Sequence, residues 1–212
     1  MSNPSFVNPE FILYRVAKGG PGSGNFEHSG RPGSVGGSGP GGLHPLTWEK
    51  VKTQADVTRS KDHEFMTVYD KNGKVLQQWE GTRDEVGDPE WLAENSKDTV
   101  NLHNHPISEP GDEDYDPDYP DQANKPFSLQ DLENFVHNGD KSDIVVSKDY
   151  DFILTRTGKP FTDDEAKHIA ELMSKHLKTG KKDTPYRYPT HEDWEWLAHN
   201  TKKLSYTRHP TK

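Results

Sequence analysis

The amino-acid sequence predicts an α/β fold of the α+β kind, and three observations carry that expectation. Two β-prone runs flank an Asp-Lys-Asn-Gly turn and read as a hairpin, three more β-prone runs follow, and apolar residues recur at helical spacing between and after them. The composition limits how much of the chain such a fold can use. Only 29% of the 212 residues are hydrophobic, mean hydropathy is −1.06, and 18 glycines and 16 prolines are present. A modest packed core with non-globular attachments is expected.

Residues 1–18 form an N-terminal tail whose Phe11-Ile12-Leu13-Tyr14 patch is either a docking strand or a sticky spot on a tail. Residues 19–45 read as a flexible linker, because glycine and proline are too dense there for any regular element to offset its ordering entropy. The folded domain is placed at 46–180, opening with a short helix at Trp48-Glu49-Lys50-Val51 capped by Thr47. Residues 63–70 and 74–80 are the hairpin strands. The chain then reads as loop up to Trp91-Leu92-Ala93, and Thr99 to His105 reads as the next strand, with His103 and His105 on one face and Val100 and Leu102 on the other.

Residues 109–121 hold seven acidic residues, three prolines and two tyrosines, the pattern of a solvated loop, without the Gly and Glu spacing of a calcium-binding EF-hand. Ser128 then opens a helix with Leu129, Leu132, Phe135 and Val136 on one stripe and Gly139 as its stop. Residues 143–147 and 150–155 read as two buried strands. Thr162 caps a helix with Ala166, Ile169, Ala170, Met173 and Leu177 along one side, leaving His168 and His176 exposed. Residues 181–212 read as a C-terminal helix, capped by Thr190 and buried through Trp194, Leu197 and Ala198, followed by a solvated basic tail.

The chain has no cysteine, so any transition-metal site must be built from its eleven histidines and its carboxylates. The net charge of −9 disfavours general attraction to nucleic acid phosphates, although a local basic patch near the C-terminus stays open. No apolar run is long enough to span a bilayer and no secretory signal is legible, so a soluble protein made in the cytoplasm is expected. A hydrolytic zinc ion takes three protein ligands and leaves one position for water, with a carboxylate nearby as general base. His103, His105 and Asp131 offer the ligands, and Glu64 offers the base. Ser128 precedes Asp131 by one helical turn and is placed to support an oxyanion. The same Ser128-Leu129-Gln130-Asp131 run is also an ordinary capping box, in which both residues serve only the helix.

In order, Glu64, the Asp70 to Val75 turn, Leu102-His103-Asn104-His105-Pro106 and Phe127-Ser128-Leu129-Gln130-Asp131 resemble the JAMM, or MPN-type, metallopeptidase-like domains, and more narrowly those attached to phage head-morphogenesis proteins. The resemblance spans about residues 60 to 160. It implies a mixed β-sheet flanked by helices, as in JAMM and cytidine-deaminase-like folds. It also implies Zn2+ held by His103, His105 and Asp131, with Glu64 as acid/base and Ser128 as oxyanion helper, acting on a peptide or isopeptide bond. The stretch GNFEHSGRPGSVGGS, within 19–45, resembles a Gly-rich tether of tailed-phage and prophage head-associated proteins.

Two departures from the family pattern stand out. The acidic insert separates His105 from Ser128 where the family has one short loop, although lengthening a surface loop costs only about 0.6 kcal/mol per doubling. Glu80, on the partner strand, competes with Glu64 for the role of base. The leading functional expectation is a zinc-dependent peptide or isopeptide hydrolase, phage or prophage encoded, acting in the host cytoplasm or the virion. Its partners would be protein or peptide substrates, a Gly-rich tether and phage head proteins being candidates, with no membrane and with nucleic acid disfavoured. The alternatives are a non-catalytic head-associated module and a nuclease or toxin-like effector.

Overall fold

The computed structural model describes residues 45–83, 85–111, 115, 117–181 and 185–211, with side chains from Lys50 onward. The N-terminal tail with its Phe11 to Tyr14 patch, the linker up to residue 44, and positions 112–114 and 116 of the acidic insert lie outside the described residues. Among the described residues a six-stranded mixed sheet is flanked by five α-helices, which bears out the α+β expectation. No described helix is long and apolar enough to cross a membrane.

Helix α1 (Pro45–Arg59) is longer than the expected one-turn element. It starts at Pro45, so Thr47 lies inside it rather than at its cap; proline suits a first helical position, where its missing N–H is not needed. Strands β1 (Phe65–Tyr69) and β2 (Val75–Glu80) form the expected hairpin. The Asp70 carboxylate accepts from the backbone N–H of Asn72 and Lys74, both at 2.8 Å, and Gly73 supplies the left-handed residue at φ +74°. A short helix, α2 (Pro89–Asn95), takes in Trp91-Leu92-Ala93, where the expected loop ends, and the last two residues of that loop. Asp88 caps it by accepting from Glu90 and Trp91, and the Asp88-Pro89 pair was a start signal in the sequence.

Strand β3 (Val100–Asn104) lies between β1, antiparallel to it, and β4 (Ser142–Val146), parallel to it. A parallel pair needs a crossover, and α3 (Leu129–Asn138) provides it, ending on Gly139 in the left-handed conformation at φ +78°. The acidic insert falls inside this crossover. Strand β5 (Tyr150–Arg156) follows β4 as a hairpin. Helices α4 (Asp163–Leu177) and α5 (His191–Thr201) come next, and the strand order is β2-β1-β3-β4-β5-β6.

The segment after Lys202 is not a solvated tail. It is β6 (Leu204–Pro210), paired antiparallel to β5 along its whole length. Its alternation explains why: Tyr206 stacks on Phe152 with ring centroids 6.4 Å apart, and Arg208 lies over the Tyr150 ring at 4.8 Å, so one side of the strand is covered.

Both faces of the sheet are covered at its centre, so β3 is buried throughout and neither of its faces is open to solvent, whereas the edge strand β2 is largely exposed. On one face Val51 and Ala55 of α1 pack against Tyr69, Val100, Leu102, Ile144, Val146 and Ile153. On the other, α3, α4 and α5 pack Leu132, Phe135, Ile169, Met173, Trp194 and Leu197 against Val145, Phe152 and Leu154. His103, an odd number of positions from both Val100 and Leu102 and paired with Val145, faces this second, helix-rich side.

The turn leading into α5 is held by one carboxylate. Buried Asp193 accepts from both guanidinium nitrogens of Arg187 at 2.5 and 2.7 Å, from Thr190 N and Oγ1 at 2.8 Å each, and bonds His176 Nε2 at 2.8 Å. His176 is therefore engaged although it lies off the apolar stripe, and its ring also stacks on Trp196 at 3.9 Å. Burial opposes the Asp193 charge, but the bonds from Arg187 and Thr190 win and hold its carboxyl far below the usual 3.8. A depressed carboxylate stabilises the fold in full above its unfolded value and loses that contribution as pH falls below it. Urea unfolding of Asp193→Asn should show a loss of about 1–3 kcal/mol at pH 7, and the gap from wild type should narrow as pH drops below about 4.

Candidate metal centre

The crossover explains how residues distant in sequence come together. In a strand-helix-strand unit the helix starts where the first strand ends, so the N-terminus of α3 returns to the C-terminal end of β3. That end carries His103 and, one residue past the strand, His105. Strand β1 runs antiparallel beside β3, with Met66 opposite His103. Two residues before Met66, and on the same face, stands Glu64.

His103, His105 and Asp131 form a single group, with side chains 2%, 6% and 17% exposed. His103 Nε2 and His105 Nε2 are 3.2 Å apart, His103 Nε2 is 3.4 Å from Asp131 Oδ1, and His105 Nε2 is 3.3 Å from Asp131 Oδ2. Zinc bonds of about 2.0–2.1 Å in a tetrahedron put neighbouring ligand atoms about 3.3–3.4 Å apart, so the spacing fits such an ion. Two ring N–H groups cannot point at each other across 3.2 Å. Protonated rings turn their Nε2–H groups to the Asp131 oxygens they face, and a cation shared by both nitrogens takes the place of those protons. The donor set is suited to zinc, while the group by itself names no particular metal.

Asp131 serves two purposes. Ser128 Oγ accepts from Asp131 N at 3.1 Å, and Asp131 Oδ2 accepts from Ser128 N at 2.7 Å and from Ser128 Oγ at 2.9 Å. The capping box is thus present, and the capping carboxylate also faces both imidazoles. The two sequence-level readings of Ser128 and Asp131 are compatible because Asp131 has enough acceptor positions for both. The single Ser128 hydroxyl proton is directed at Asp131.

Glu64 is 7% exposed, and its charge acts on His105. The Glu80 side chain is 63% exposed and pairs with Lys61 at 3.3 Å. The geometry therefore separates the two possible bases, and Glu64 is the one beside the histidines. Asn104, the middle residue of the His-Asn-His run, secures that arrangement. Its Oδ1 accepts from Phe65 N at 2.7 Å and its Nδ2 donates to His63 O at 3.0 Å, pinning the backbone on both sides of Glu64.

Two further neighbours escaped the sequence reading. Asp143 Oδ1 is 3.4 Å from His103 Nδ1, an ion-pair contact rather than a hydrogen bond. A carboxylate opening an otherwise apolar buried strand was the available signal. Tyr188, 83 residues from His105, has its hydroxyl 3.2 Å from His105 Nδ1, and nothing in the local sequence marks it. The insert is also less detached than a solvated loop. Its Tyr119 meets Tyr188 edge-on at 5.4 Å, and buried Lys125 sits over the Tyr188 ring at 4.5 Å.

The electrostatics follow from these contacts. Burial opposes a charge on His103, but Asp143 and then Asp131 outweigh it and hold the ring well above 6.5. His105 is raised too, against burial, chiefly by Asp131. Asp131, despite burial, is held well below the carboxylate range by His103 and then His105. Burial pushes Asp143 up, with His103 a partial counterweight. Metal must therefore displace protons from imidazoles that retain them above 6.5. Apparent zinc affinity should rise with pH through neutrality, by up to about tenfold per pH unit for each proton displaced. Calorimetric titration in buffers of different ionisation enthalpy counts those protons.

No protein-family model, curated protein or solved structure matches this chain. The site stands on its own geometry.

Proposed function

We propose that this protein is a zinc-dependent hydrolase of the JAMM-like kind, cleaving a peptide or isopeptide bond. The observation that carries the reading is the convergence of His103 Nε2, His105 Nε2 and the Asp131 carboxylate at 3.2–3.4 Å, with buried Glu64 beside them. Three protein ligands leave the fourth tetrahedral position for water or a substrate oxygen, the arrangement of catalytic rather than structural zinc. A zinc ion held by His103, His105 and Asp131 would supply an acidified water and a polarised scissile carbonyl. Glu64 takes a proton at its carboxylate and returns it to the leaving amine. Asn104 holds the Glu64 backbone, and Ser128 orients Asp131. The order of these residues along the chain supports the JAMM-like assignment, and the Gly-rich tether supports a phage or prophage setting, in the host cytoplasm or the virion, with head proteins as partners.

A non-catalytic, head-associated structural module, with or without a metal, is the second reading. It is favoured by one observation, the commitment of the Ser128 proton to Asp131 rather than to an open site. The readings part on activity. The zinc-loaded full chain is incubated with a peptide spanning residues 19–42 and with an isopeptide-linked conjugate, and products are followed by mass spectrometry. Cleavage of either, abolished by chelation and restored by zinc, supports the hydrolase. One zinc per chain with neither substrate cut supports the structural module, and a fully folded chain that takes up no zinc refutes the hydrolase.

A further inference from the structure

We propose that Tyr188, which comes from the segment between α4 and α5, is a positioning residue that selects the metal-binding tautomer of His105. The inference rests on the reading of His103, His105 and Asp131 as metal ligands. The Tyr188 hydroxyl donates to Pro126 O at 2.9 Å, so its one proton is directed there, and its oxygen stands 3.2 Å from His105 Nδ1 as an acceptor. His105 then carries its proton on Nδ1, and Nε2, the atom that faces His103 and Asp131, presents a lone pair. An outer partner of this kind fixes both the tautomer and the ring plane of a metal-ligating histidine.

The hydroxyl is held in place from several sides. Tyr119 packs edge-on against the Tyr188 ring at 5.4 Å and 76°, and Lys125 Nζ lies 4.5 Å from the ring centroid. On the chain itself, Arg187 is clamped by Asp193 and its N–H donates to Leu177 O at 3.2 Å, while Thr190 begins the capping box of α5. Tyr188 therefore sits on a braced turn. Its acceptor, Pro126 O, lies two residues before Ser128. One phenol thus joins the segment entering α3, which presents Asp131, to the imidazole at the end of β3, and the acidic insert seats on the same ring through Tyr119.

The test compares full-length wild type with Tyr188→Phe, which removes one oxygen and keeps the ring that Tyr119 and Lys125 touch. Cobalt(II) serves as the probe: its visible absorption gives the affinity, and paramagnetically shifted proton resonances report the exchangeable ring N–H of each coordinated histidine. The expected result is two such resonances in wild type, one each for His103 and His105. In Tyr188→Phe one of them should be lost or exchange faster, with cobalt affinity about 10- to 100-fold weaker and a melting temperature before metal is added lowered by no more than about 4 °C, the cost of one hydrogen bond. Equal affinity with both resonances intact would overturn the role of Tyr188 while leaving the metal site standing. Weaker affinity with both resonances intact would also overturn it, because the phenol would then act only through the fold. A wild-type chain that binds no cobalt overturns the metal site and this inference together.

Discussion

Asp131→Asn should lose the metal and loosen the start of α3 in one step. The carboxylate faces both imidazoles and closes the capping box with Ser128, so the amide removes the negative ligand and weakens the reciprocal cap. Zinc affinity should fall by more than about 100-fold, beyond what losing an outer-shell partner costs. Metal-free stability should fall by about 0.5–2 kcal/mol, the range for a lost helix cap. Ser128→Ala separates the two effects: it removes the cap hydroxyl, should lower stability by a similar amount, and should retain one zinc per chain. Zinc content after dialysis and urea unfolding of both variants check this. An Asp131→Asn chain that still holds zinc as wild type does would remove Asp131 from the ligand set.

Glu64→Gln should keep zinc and lose hydrolysis. The amide cannot take up a proton at neutral pH, so turnover should drop by about 10²–10⁴-fold, the usual contribution of a general base, while zinc content stays at the wild-type level. Glu80→Gln serves as the control. Its side chain is exposed and paired with Lys61, and surface pairs of that kind contribute little, so activity and stability should stay near wild type. Rates on whichever substrate is cleaved, beside zinc analysis of the same samples, decide it. Equal losses in the two variants would place the base elsewhere.

The hairpin, the His-bearing strand, the crossover helix and the capping box were legible in the sequence, because each depends on local rules: turn chemistry at Asp70 to Lys74, period-two alternation, an apolar stripe at helical spacing, and Ser128 three residues before Asp131. The proximity of His103, His105 and Asp131 was foreseeable for the same reason, since a helix that follows a strand in a parallel crossover begins at that strand's C-terminal end.

Long-range pairing was not legible. The segment after Lys202 carries charge and aromatic residues in a pattern that serves a solvated tail as well as an edge strand, and only the open edge of β5 makes it β6. Asp143, Asn104 and Tyr188 were hidden because their roles depend on register and on the meeting of distant segments. Asp143 reaches His103 across the β3–β4 pair, Asn104 pins β1, and Tyr188 arrives from the turn before α5. The sequence by itself determined the candidate ligand types and their order, since side-chain chemistry and local geometry are properties of short segments. Tertiary structure alone decided that Asp143 and Tyr188 stand beside the imidazoles, because that placement is made by sheet register and helix packing over separations that no local pattern records.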